Sequence, residues 1–223
     1  MPRDSTPTKE RLLREAERLF ARRGPYRVTL REITDAAGQR NVSAVNYHFG
    51  SREGLLEAIL ARHGDPTDAA RGELRARLAD GSTTRDLVAV LVVPYAAHLA
   101  TPEGRDYLRI VAGLSPLFSD WRADTVGTGP HLVDILTMLE ARPTELPAAV
   151  RRERVVEMIM LMTAAMSSRA RQLESRRPVE LDDDTFEANL TDVLVGVLEA
   201  PLLGPLPAAL VAPGGAVGPV PAS

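Results

Sequence analysis

The stretch from Thr29 to Phe49, TLREITDAAGQRNVSAVNYHF, constrains the fold most, because it encodes two short helices joined by a glycine-containing turn. Thr29 is placed to cap the first of them, with Glu32 three residues on to complete a capping box. Val28 and Ile33 are spaced as a hydrophobic staple, and Leu30, Ile33 and Ala37 share one face. Gly38 supplies the left-handed residue that stops the helix. Gln39, Arg40 and Asn41 then form the turn, and a helix from about Val42 to His48 turns Ser43, Asn46 and Tyr47 outward while Val45 packs back. Two helices in this arrangement form a DNA-reading device, and small or amide side chains at the front of the second suit base edges.

Charge supports that reading only after the chain is divided. The net charge is −3 over 223 residues, yet Met1 to Gly64 holds 12 Lys and Arg against 8 Asp and Glu, leaving the remainder acidic. A basic head draws phosphate while an acidic body stays away from it. A composition 44% hydrophobic and only 4% aromatic predicts aliphatic helical packing, so the expected fold class is all-α. The absence of cysteine removes disulfides and the commonest zinc frameworks, and the apolar segment of a leader is missing from MPRDSTPTKERLL. We therefore expect a cytoplasmic location and no cofactor.

Periodicity places a helix from about Pro7 to Arg23, and a fourth capped by Ser51 and running to about Arg62. A leading amphipathic helix, TLREITDAAG, a short turn, YHF and GSREGLL, in that order, resemble the DNA-binding domain of the TetR family of transcriptional regulators. The resemblance covers roughly Thr8 to Leu60, with one departure: eleven residues follow Gly38 to the end of the HF pair, where the family commonly has ten. It implies phosphate contacts from Thr29, Tyr47, His48 and Arg52, and base-reading candidates in Gln39, Arg40, Asn41, Ser43, Ala44 and Asn46.

Beyond Gly64 the pattern predicts a short polar-faced helix over Asp68–Leu78, an apolar one over Thr84–Leu99 kinked near Val93 by Pro94, and further helices over Pro102–Leu114 and His131–Ala141, with 115–129 irregular. A long helix over about 147–176 is apolar nearly all round between Val155 and Met166, too short a run to cross a membrane. With the amphipathic helix at 184–199 it offers the surface of a dimeric four-helix interface, and the resemblance implies a homodimer through the same pair. The expected organisation is a helix-turn-helix domain at 1–50 joined by a connecting helix at 51–64, a helical ligand-binding and dimerisation domain at 65–200, and a Pro/Gly/Ala-rich tail at 201–223 without fixed structure.

The resemblance also implies a small-molecule effector held in the body. Candidates to line its cavity are Tyr95, His98, Tyr107, Phe118, Trp121, Met138, Met158, Met162 and Met166, a mostly apolar set suited to a lipophilic molecule. The expected function is a sequence-specific regulator, a repressor released from a pseudo-palindromic operator by that ligand. An alternative is a helical dimer that binds a partner protein and clamps DNA with little sequence preference. An enzyme is not expected: the four histidines have no Glu-x-x-His spacing, no phosphate-binding glycine loop or nucleophile motif is present, and no catalytic or metal-ligating residue is assigned.

Overall fold

The computed structural model describes residues 6–117, 128–175 and 178–204, and all regular structure among them is helical. The head is built from α1 (Thr6–Arg23), α2 (Leu30–Ala36) and α3 (Ser43–Phe49), and α4 (Arg52–Ala76) leads out of it. The body follows as α5 (Thr84–Ala96), a 3₁₀ turn (Ala97–Ala100), α6 (Pro102–Leu114), a second 3₁₀ turn (Ser115–Leu117), α7 (Pro130–Glu140), α8 (Ala148–Glu174) and α9 (Asp183–Glu199). Leu12, Ala16, Phe20, Val28, Ile33, Val45, Leu55 and Ile59 form the buried centre of the head. They are the apolar residues that helical spacing and the staple single out, so burial and local pattern agree.

The head's turns follow from local chemistry. The Thr29 hydroxyl accepts from the amide of Glu32 at 3.2 Å, and the Glu32 carboxylate accepts from the amide of Thr29 at 2.7 Å. Gly38 ends α2 with φ +67°, and the amide of Gln39 donates to the carbonyl of Thr34 at 2.8 Å, closing a Schellman-type turn. Asn41 Oδ1 then accepts from the amide and the hydroxyl of Ser43, both at 2.9 Å, which starts α3. The longer turn is thus accommodated between two closed hydrogen-bonded units.

Two expectations about helix ends are corrected. The fourth helix does not end near Arg62 and restart at Asp68; α4 is continuous through Pro66. Proline removes one internal hydrogen bond, but the flanking turns are fixed by other contacts. Thr67 Oγ1 donates to the carbonyl of His63 at 2.7 Å, and the Asp68 carboxylate accepts from the amides of His131 and Leu132 at the start of α7. Tertiary bonding therefore overrides the break. Pro94, conversely, is followed by an early stop: α5 ends at Ala96 and the chain tightens into a 3₁₀ turn, so the regular helix does not reach Leu99.

The body packs α6 against α8 and α1, and α9 against α5 and α8. On α8, Val155, Met158, Met162 and Met166 are buried, but Met160 and Leu161 are 41% and 37% exposed, as is Val193 of α9 at 44%. One apolar face of this helix pair is thus uncovered in the single chain. No helix among the described residues is long and apolar enough to cross a membrane.

Candidate nucleic-acid interface and body cavity

The outer face of α3 carries the first candidate site. Tyr47 is 79% exposed, and Ser43 and Asn46 stand beside it in solvent while Val45 is fully buried beneath. The Asn46 side chain is exposed to solvent, whereas Asn41 and Ser43 are bonded to each other. Ala44 is half-buried against the core, and Gln39 is half-buried with its amide 3.4 Å from the carbonyl of Ala37; Arg40 is exposed. Of the six base-reading candidates, Arg40 and Asn46 therefore project most freely, and Asn41 and Ser43 serve first as the cap of α3.

The phosphate candidates divide in the same way. Thr29 is exposed at the start of α2, and its capping partner Glu32 also meets Arg23 Nη1 at 2.6 Å. The amide of Thr29, then the side chains of Arg23 and Thr29, hold the Glu32 carboxyl down at about 2. Tyr47 and His48 make an edge contact at 5.0 Å between ring centres. Arg52 turns inward: its Nη1 donates to the carbonyl of Pro25 at 2.9 Å and to that of Val28, tying α4 to the loop before α2.

The body holds a second candidate site, a cavity of about 100 Å³ among α4, α5, α6, α7 and α8. Its walls include Leu60, Leu91, Val111, Leu132, Leu136, Ile159 and Met162, with Tyr95, Tyr107, Arg71, Ser115 and Thr163 as the polar members. Of the sequence candidates, Tyr95, Tyr107 and Met162 line it. Met158 and Met166 are core residues away from its walls, and Met138 accepts a contact from Arg75 Nε at 3.4 Å instead. His98 lies behind the wall, bonded to Thr67 Oγ1 at 2.7 Å and packed at 4.7 Å on the Tyr107 ring. Burial, then repulsion from His63 and Arg71, holds the His98 imidazole neutral down to about 4. Phe118 and Trp121 lie outside the described residues.

Arg71 is the residue that sequence reasoning missed. It is 7% exposed, and neither its Nε nor the hydroxyl of Tyr95, itself 2% exposed, has a hydrogen-bond partner among the described residues. The signal was available: continuing the helical period through Pro66 puts Leu60, Gly64 and Arg71 on one face of α4. A larger, open cleft of about 940 Å³ runs between α1, α6 and α8. Part of its wall is ion-paired, as in Arg109 with Asp106 at 2.7 Å and Arg18 with Glu15 at 2.7 Å. That cleft is open and largely charged, whereas the smaller cavity is walled mostly by apolar side chains and holds two unmet donors, Arg71 Nε and the Tyr95 hydroxyl, which makes it the better receptor for a small molecule.

The cavity touches the head through a short chain of contacts. The Tyr107 ring stacks on His63 of α4 at 4.8 Å, and His63 Nε2 lies 2.5 Å from Glu17 Oε1 on α1. Glu17 is 2% exposed, so this carboxylate is buried in the joint between head and body.

Comparison with known proteins agrees with this architecture. Residues 12–59 match the sequence profile of bacterial regulatory proteins, tetR family. The chain superposes on a TetR-like transcriptional regulator from Rhodococcus sp. RHA1 with a TM-score of 0.56 at 14% identity, covering 87% of this chain and 97% of that one. NalD, the secondary repressor of the MexAB-OprM multidrug efflux pump in Pseudomonas aeruginosa, gives 0.51 at 19% identity, with 86% and 95% covered. Mycobacterium smegmatis AmtR gives 0.50 at 19% identity, with 83% and 85% covered. At such identities these likenesses establish the fold. No curated protein matches the sequence.

Proposed function

We propose that this chain, whose residues 12–59 match the tetR family of bacterial regulatory proteins, is a DNA-binding transcriptional regulator that acts as a homodimeric repressor released by a small ligand. The observation that carries the reading is the outer face of α3, where Asn46 and the 79% exposed Tyr47 stand free above a buried Val45. In each protomer α3 enters a major groove, with half-sites about 34–36 Å apart or a little more. Asn46 and Arg40 read base edges, while Thr29, Tyr47 and His48 contact phosphates. Arg52 acts first by holding the loop before α2, which sets the angle of the reading helix.

Dimerisation through α8 and α9 is supported by the uncovered Met160, Leu161 and Val193. The helices after the connecting α4 (Arg52–Ala76) form the ligand-binding and dimerisation domain, and α1 to α3 form the DNA-binding one. Ligand entry shifts the population toward a head spacing that no longer fits successive grooves, by as much as the ligand prefers that arrangement. Tyr107, His63 and Glu17 are the contacts through which a change at the cavity wall reaches α1.

The test is selection of bound sites from a random duplex pool. A single pseudo-palindromic site preferred about a thousandfold or more over random duplex is expected. Equal affinity for all duplexes would instead favour a nonspecific clamp whose body serves a partner protein.

A further inference from the structure

We propose that the body cavity takes a small organic monocarboxylate, its acid group bound between Arg71 and Tyr95 and its short apolar tail among Leu91, Leu136, Ile159 and Met162. The inference rests on the reading of this cavity as the effector site and adds the chemical class of the effector.

The first argument is charge. An arginine stays protonated in proteins, and a buried guanidinium is costly without an anion. The nearest carboxylate, Asp68, lies 3.9 Å from Arg71 Nη1, too far for a hydrogen bond. Asp68 is also engaged elsewhere, accepting from the amides of His131 at 3.1 Å and Leu132 at 2.8 Å and so facing the positive end of α7. One carboxylate thus serves two positive groups, and the cavity wall keeps a surplus of positive charge.

The second argument is unmet hydrogen bonding. Arg71 Nε and the Tyr95 hydroxyl are buried in the wall of the same cavity, without partners among the described residues. Both are donors, and burial drives the Tyr95 hydroxyl well above its ordinary range, so it remains protonated and able to donate. A carboxylate accepts from both at once. An alcohol accepts too, but leaves the guanidinium charge uncompensated, and an amine adds a second cation.

Size and polarity narrow the class. A cavity of about 100 Å³ holds roughly three waters' share of liquid volume, well below the ~300–1,000 Å³ of pockets for drug-sized ligands. With Asp68 shared between Arg71 and the start of α7, at most a single positive charge is left for a ligand to meet, which suits a monoanion. A doubly charged phosphate would leave one negative charge buried and unpaired.

The test uses the full chain and calorimetric titration with the straight-chain acids from acetate to hexanoate and the alcohols of matching length. At least one acid is expected to bind about tenfold or more tightly than its alcohol. Tyr95→Phe keeps the ring and removes only an unpartnered hydroxyl, so it should fold, and it should cut acid affinity by about threefold to tenfold while leaving alcohol affinity unchanged. Arg71→Gln should abolish the preference for the acid. Equal binding of acid and alcohol, a preference undiminished in both variants, or no binding of any acid at millimolar concentration overturns the proposal.

A parallel measurement on the selected DNA separates this inference from the reading beneath it. Release of DNA by a neutral compound, with no acid bound, overturns the carboxylate site and leaves the ligand-released repressor standing. An acid that binds the wild type, fails on Arg71→Gln and does not release DNA supports the site and overturns its role as effector.

Discussion

On α3 and the turn before it the groups proposed to read DNA stand in water: Tyr47 is 79% exposed, and Asn46 and Arg40 project beside it. In the body cavity the groups proposed to hold a ligand are buried, Arg71 at 7% exposed and Tyr95 at 2%. An exposed amide or phenol keeps its hydrogen bonds to solvent, so the head can present its reading face at little cost to stability. A buried donor without a partner destabilises the fold by about 1–3 kcal/mol, which a ligand that supplies the missing acceptor restores. The head is therefore suited to be a rigid reader, and the body is the place where binding changes the balance between states.

Four experiments break or sharpen that contrast. The largest effect is expected from replacing Asn46 and Tyr47 together with Ala. Loss of a base-edge pair and a phosphate contact should weaken specific binding by about 2–4 kcal/mol, read by fluorescence anisotropy on the selected site. Because both side chains are exposed, the unfolding midpoint should not move; a large drop would mean that α3 is held by its outer face. Second comes Arg52→Ala. It removes charged donors from the carbonyls of Pro25 and Val28, and should destabilise the chain by about 1.5–3 kcal/mol in urea. A variant of unchanged stability that loses the salt dependence of DNA binding would move Arg52 from the fold to the phosphates.

Third, Thr29→Ala removes a capping side chain and should cost about 1 kcal/mol of stability. Affinity for DNA should fall by more than its stability accounts for, since Thr29 is also a phosphate candidate; equal affinity at saturating protein would leave it a cap alone. The mildest perturbation is slight acidification. His98 has a folded value of about 4 against an ordinary 6.5, so the unfolded chain binds more protons between them. Its contribution is complete above 6.5 and is lost as pH falls toward 4. Glu32, held at about 2 against 4.5, contributes fully above 4.5 and loses its part as pH falls toward 2. Hydrogen exchange during an acid titration should therefore show the neighbourhood of His98 loosening before the start of α2. The reverse order would contradict both assignments.

How far each region could be read in advance follows the same division. The capping box of Thr29 and Glu32, the Val28 and Ile33 staple and the stop at Gly38 are interactions within a few residues, so local pattern suffices to locate α2 and the outward face of α3. The limits of α6, Pro102–Leu114, were equally legible because a threonine cap and a proline open it. Continuity of α4 through Pro66 was not legible, since it depends on Asp68 meeting α7 some sixty residues later in the chain. Arg71 was overlooked for the same reason: an arginine on a polar-looking stretch reads as solvated until the helices around it are in place. His98, Met158 and Met166 were plausible cavity residues by type, but type alone does not distinguish a wall from the layer behind it.

Glu17 is part of the head by sequence and of the body by contact, since its buried carboxylate meets His63, which in turn stacks on Tyr107. Its second oxygen, Oε2, has no partner among the described residues, so the buried acid depends on His63 for its hydrogen bond. The head of this protein is consequently not an interchangeable module. A chimera carrying residues 6–64 on another body would keep α3 and the Glu17–His63 pair but set the His63 ring against whatever stands in place of Tyr107. On the proposed function, transferring a DNA preference without a ligand response would require grafting α3 and the turn before it, while leaving α1 with the body it packs against.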